Sequence, residues 1–179
     1  MKRFFSLLLC AGIALAGAAT APALVRAQAN ASMTEAHIQR IRSNCIEAQT
    51  SLTQLHASDA LLRVNRGQIY ESILTKLMTP FNGRLALNKL DNAALTTVTS
   101  QYERALSSFR SNYQQYEEAM SRTLKITCTN QPVAFYDSVT ETRSKRQLVH
   151  DSTVQLQQLI QAYQAEFDAF SKKFQESHR

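Results

Sequence analysis

Residues 135–174 read FYDSVTETRSKRQLVHDSTVQLQQLIQAYQAEFDAFSKKF. Along this stretch Phe135, Val139, Thr142, Arg146, Val149, Thr153, Leu156, Ile160, Tyr163, Phe167, Phe170 and Phe174 recur at alternating steps of four and three. That period belongs to a helix burying one stripe against a neighbour of the same kind. No Gly or Pro interrupts it, and Pro132 stands where a first helical turn accepts proline. The spacing predicts a helix over 132–176. A helix of that length is held by burial of its stripe rather than by intrinsic propensity, so it calls for partners.

Upstream, Leu95, Val98, Tyr102, Ala105, Leu106, Phe109, Tyr113, Tyr116, Met120 and Leu124 form a second stripe, with Ser, Gln, Glu and Arg opposite. A helix over 92–126 follows, with Asp91 able to cap it. Thr127 to Pro132 reads as a loop. Further upstream Ser32-Met33-Thr34-Glu35 has the form of a capping box. It opens a third seam: Ile38, Ile41, Cys45, Ala48, Leu52, Leu55, Leu62, Ile69, Ile73 and Leu77, broken by the polar Asp59 and Arg66. Phe81, Leu85, Leu87 and Leu90 extend the pattern past Pro80 and Gly83. The expectation is one helix over 33–89, kinked near Pro80; the alternative ends it at Thr79, because proline removes a backbone donor and disfavours helix before it.

The whole chain has 179 residues with 4 Gly and 3 Pro, three of those seven before residue 30. The remaining four cannot supply the turn every 8–12 residues that a β-sandwich or barrel needs. Short connections make successive helices antiparallel neighbours. The fold read from sequence is therefore all-α, an elongated up-down-up three-helix bundle with coiled-coil-like packing.

That topology makes two pairings testable. Counted from the turn at Asp91, Cys128 is 37 residues away and Cys45 is 46 away. The difference of nine helical residues is about 13 Å, most of which a few extended loop residues cover at about 3.3 Å each. Cys45 and Cys128 are expected to form a disulfide; the alternative is two thiols. If Pro132 lies level with Cys45, Arg146 lies level with Asp59. An isolated charge in an apolar seam is costly, so Asp59 and Arg146 are expected to face each other and fix register. The rival is a local Asp59–Arg63 pair at i, i+4.

The first 29 residues have another character. Lys2 and Arg3 precede the apolar run Phe4 to Leu15, and Ala27-Gln28-Ala29 is a small-residue cleavage signal. This is the layout of a secretory signal peptide over 1–29, leaving a domain over 30–179. An uncleaved anchor over Phe4 to Val25 is the alternative; lipidation at Cys10 is disfavoured by Leu9 before it. Removing the leader lowers Lys+Arg from 20 to 17 against 14 Asp+Glu, a net charge of +3 rather than +6. An excess that small is a weak argument for nucleic-acid or anionic-surface binding, and no nucleic-acid partner is expected. Two cysteines left in an exported chain fit one disulfide, and no second apolar run spans a membrane.

The capped helix with Cys45, the stretch Leu61-Leu62-Arg63-Val64-Asn65-Arg66-Gly67, Leu90-Asp91, then Cys128, Pro132 and Phe135-Tyr136 together resemble uncharacterised exported helical-bundle proteins of bacteria. The resemblance implies export and a helical fold, and it transfers no functional residue.

No catalytic constellation appears. His37, His56, His150 and His178 lack helical metal spacing, and no E-x-x-H pattern occurs. The expectation is no enzyme, no metal and no cofactor. Tyr102, Phe109, Tyr113 and Tyr116 read as core more readily than as a ligand ladder. Arg143 and Lys145, beside Arg146, are candidates to contact an anionic polymer, against the reading of a solvated face. The function expected is an exported structural or interaction protein (periplasmic, cell-surface or extracellular) presenting a long helical face to a protein partner or to itself. The alternatives are an envelope binder of anionic polymer through Arg and Lys faces, and a periplasmic holdase-type chaperone.

Overall fold

The computed structural model describes residues 33–177. The leader over 1–29, Cys10, Ser32 and His178 lie outside the described residues. Among those described there is no strand, and the helices are α1 (Glu35–Ser43), α2 (Cys45–Ser72), a π-helical segment (Ile73–Met78), α3 (Thr79–Leu87), α4 (Ala93–Lys125) and α5 (Pro132–Ser177). No helix among them is long and apolar enough to cross a membrane.

The first arm, residues 35–87, departs from its expected form at three points. Its cap is Thr34, whose hydroxyl accepts from the His37 amide at 3.4 Å, so the cap lies two residues after Ser32. At Asn44 the backbone leaves helical geometry, separating α1 from α2. Near Pro80 the helix does not end at Thr79. Proline has no N–H, and its ring crowds the carbonyl four residues back. The π-helical segment widens the turn just before it, and Thr79 stays helical at φ −62°, ψ −48°.

The widening also sets which side chains are buried. An α-helix turns about 100° per residue and a π-helix roughly 82°. Three α-turns beyond Asp59 is residue 70, and Tyr70 is buried. With the slower rotation over 73–78, Met78 returns to the same side, and it is 1% exposed. Ordinary α-helical rotation already places Leu62 and Ile69 roughly 60–80° aside of Asp59, and the slower rotation over 73–78 turns Leu77 roughly 90° aside as well. Each is more than half exposed, which corrects their placement in a buried seam. Arg66 is exposed as well.

The turn after α3 is a Schellman motif: Leu90 N–H donates to the Leu85 carbonyl at 2.9 Å and Lys89 N–H to that of Ala86 at 3.0 Å. It requires a left-handed residue at Lys89, φ 56°. Lys89→Gly relieves the Cβ clash there, offset in part by glycine's greater freedom when unfolded. The expected gain is about 0.5–1 kcal/mol, read as a higher urea midpoint; a lower midpoint contradicts the assignment. Before α4, Asn92 rather than Asp91 occupies the cap position, while Asp91 Oδ1 accepts from the Ala93 amide at 3.3 Å.

The α4 stripe is the spine of the core. Leu95, Val98, Tyr102, Ala105, Leu106, Phe109, Tyr113, Tyr116, Ala119 and Met120 are all buried. Leu95, Val98, Tyr102, Ala105, Leu106 and Phe109 pack with Tyr70, Met78 and Leu85 of the first arm and Leu156 and Tyr163 of α5, while Tyr113, Tyr116 and Met120 pack with Leu52, Leu55 and Val149. At the other end Cys45, Cys128 and Phe135 form a smaller cluster. The buried Tyr70 hydroxyl has no hydrogen-bond partner among the described residues. Tyr70→Phe is therefore expected to leave stability unchanged or raise it by up to about 1 kcal/mol, because an unpaired buried hydroxyl is a liability. A loss above about 1 kcal/mol by thermal denaturation contradicts this.

Candidate functional site

The described core is crossed by polar groups at four levels. Cys45 and Cys128 are joined by a disulfide with their Cα atoms 5.6 Å apart, and Gln49 Nε2 donates to the Ile126 carbonyl beside it at 2.8 Å. Next, Thr123 Oγ1 lies 2.8 Å from Thr142 Oγ1 and 2.7 Å from Ser138 Oγ, linking α4 to α5. At the far end Asn82 Nδ2 donates to Thr99 Oγ1 at 2.8 Å, and Tyr163 OH donates to Asn82 Oδ1 at 2.9 Å. That last network joins α3, α4 and α5. Sequence reading missed it because Asn82 sits among apolar residues after Pro80.

Asp59 occupies the level between. It is 9% exposed. Arg146 grips it with two parallel bonds, Nε to Oδ2 at 2.7 Å and an η-nitrogen to Oδ1 at 3.0 Å. Tyr116 OH donates to Oδ2 at 2.7 Å. Burial by itself raises the Asp59 pKa, but the bonds from Arg146 and Tyr116 and the Arg146 charge outweigh it, so the carboxyl is held below its ordinary range. Tyr116 is pushed above the usual phenol value by burial and by its bond to that carboxylate. Arg63 does not supply the local alternative: its guanidinium lies 4.9 Å from the centre of the Tyr113 ring. Tyr113 OH donates to Glu117 at 3.1 Å, and the other Glu117 oxygen lies 2.5 Å from His56 Nε2. Burial, then Glu117, pushes Tyr113 up to about 12.

Asp59, Tyr116 and Arg146 thus form one three-way contact between α2, α4 and α5. Tyr116 read from sequence only as a core aromatic; the signal for its second role was an acidic seam residue needing more donors than one arginine. Arg143 and Lys145 do not converge with Arg146. Lys145 Nζ donates to Gln115 Oε1 at 3.0 Å, and Arg143 is exposed. Among the described residues no three His, Cys, Asp or Glu side chains are grouped to hold one metal ion.

Beside Asp59 the first arm and α5 part, leaving a groove of about 400 Å³ with Leu62, Arg63 and Arg66 on one wall and Val149, Thr153 and Val154 on the other. A second groove of about 410 Å³ lies farther along the same arms, between Ile73 and Leu77 and, on α5, Ile160 and Phe167. Of the exposed apolar residues of the first arm, Leu62 lines the first groove and Leu77 the second. Comparison with protein-family models, with curated proteins and with solved structures finds no match to the chain.

Proposed function

We propose that the chain is an exported, non-enzymatic interaction protein, folded as an elongated up-down-up three-helix bundle, that presents a helical face to a protein partner or to itself in the cell envelope. The observation that carries this reading is the stripe of Leu62, Ile69 and Leu77, 53%, 52% and 56% exposed beside a well-buried core. Leu62 and Leu77 line the two grooves, and exposed apolar side chains lining a groove with a polar rim mark interaction sites. The up-down-up arrangement is supported by pairs that advance in step along the first arm and α5: Asp59 with Arg146, then Phe81 with Phe167 at 5.2 Å between ring centres. Export is supported by the disulfide, which needs an oxidising compartment, and by the leader sequence.

Crosslinking in intact cells followed by mass spectrometry tests the reading. A protein adduct or a self-adduct in the envelope fraction is expected. Salt-dependent retention on an anionic polymer with no protein adduct favours the polymer-binding alternative instead. That alternative is weakened by the engagement of Lys145 and Arg146 with Gln115 and Asp59. Stoichiometric suppression of client aggregation, again without a stable adduct, favours a holdase.

A further inference from the structure

The open face has a length, a lining and a sign of charge, and together they describe what fits it. The two grooves follow one another along the same arms, the first from Asp59 and the second reaching Phe81. The two grooves share no lining residue; the 22 residues between Asp59 and Phe81 span about 33 Å of helix, so one helix of about 20 residues reaches both. Both are troughs open along one side rather than enclosed cavities. An open trough with apolar positions at helical spacing on its wall suits a helix laid along it, whereas an acyl chain calls for enclosure.

The rim is basic. Arg63, Arg66, Lys76 and Arg84 line it on the first arm, while Arg146 on α5 is balanced by Asp59. Among the lining residues the single carboxylate is Asp59, and Arg146 already holds it. We propose that this trough is the docking site for an amphipathic helix of a partner protein, its apolar stripe seated on Leu62, Ile73 and Leu77 and its flanks carrying Asp and Glu against the arginine rim. The proposal rests on the interaction-protein reading and adds the partner's chemistry. Charge argues against the nearer occupants. Residues 1–34 contain three cations and no carboxylate, and residues 30–179 carry a net charge of +3, so neither the leader nor a second copy complements a basic rim.

Two synthetic peptides of about 21 residues, sharing one Leu/Ile stripe and flanked by either Glu or Lys, test this on the disulfide-bonded protein. Fluorescence anisotropy at about 0.15 M salt is expected to show the Glu peptide binding at least about 10-fold tighter than the Lys peptide. Arg63→Glu with Arg66→Glu is expected to abolish or invert that preference. Leu62→Ser with Leu77→Ser is expected to weaken the Glu peptide about 10-fold. All four positions are exposed, and unchanged helical circular dichroism shows that the variants fold. No binding of the Glu peptide, equal binding of both, or indifference to the substitutions overturns the proposal. A dimer in sedimentation that Leu62→Ser with Leu77→Ser abolishes assigns the face to a second copy and also overturns it. So does saturable binding of dodecyl phosphate by a protein that ignores both peptides. If the peptides fail while a protein partner is crosslinked through another face, the docking site alone is lost. If no protein adduct forms anywhere, the wider reading falls.

Discussion

Reducing the Cys45–Cys128 disulfide, or replacing both cysteines by serine, is expected to remove about 2–5 kcal/mol of stability. The two residues are 83 apart in sequence. Leaving so long a loop open restores a large conformational freedom to the unfolded chain, for which the loop-entropy relation gives about 4.6 kcal/mol. The native ends add a packing contribution, since Cys45 and Cys128 are 3% and 0% exposed and cluster with Phe135. The effect is read as a drop in urea midpoint between the oxidised and reduced protein. Hydrogen exchange should quicken first in the opening turn of α2 and around Thr127–Gln131, which the bond ties together. Equal midpoints with and without reductant contradict the account.

The second large effect sits at Asp59. Asp59→Ala leaves Arg146 and the buried Tyr116 hydroxyl without their shared acceptor. Removing one member of a buried pair costs about 3–5 kcal/mol. Arg146 keeps 49% of its side chain exposed, so solvent moderates the loss to about 2–3 kcal/mol here. In a double-mutant cycle with Arg146→Ala the coupling is expected to exceed about 1 kcal/mol, and strictly additive losses contradict it. The pH dependence has a definite sign. The Asp59 pKa is lowered in the folded state, so its contribution is fully present above the ordinary carboxylate pKa and is lost as pH falls through the lowered value. Asp59→Asn should flatten that acid limb of the stability profile. A stability profile with the same acid slope in both proteins rules out Asp59 as its source.

Asp59 and Arg146 were legible in the sequence because each is an isolated charge in an apolar stripe, and a register argument sufficed to place them together. The α4 stripe was legible for a related reason: Leu95 to Met120 contains no proline or glycine and keeps one face throughout. The first arm was less so. Continuing the seam past Asp59 in steps of three and four puts Leu62, Ile69 and Leu77 in the core, but a straight helix drifts about 20° per heptad from a seven-residue period. The π-helical segment before Pro80 then turns the face again. Pro80 signalled a disturbance without saying whether the helix would stop, kink or widen. The Asn82–Thr99–Tyr163 network was not legible, since each member alone looks like an ordinary polar or aromatic position. The groove itself is the sum of these errors: it is where the seam expected to be filled stays open.

The most direct test of the account is site-specific photo-crosslinking in intact cells, with a photoreactive phenylalanine analogue placed in turn at Leu62, Leu77, Ile46 and Leu87. Ile46 and Leu87 are the more exposed controls, at 77% and 84%, and neither lines the groove. If adducts follow exposure alone, the controls give the stronger bands. The account predicts a protein adduct of one defined mass at Leu62 and Leu77, absent at Ile46 and Leu87. Adducts of equal intensity at all four positions, or none at Leu62 and Leu77, would contradict it.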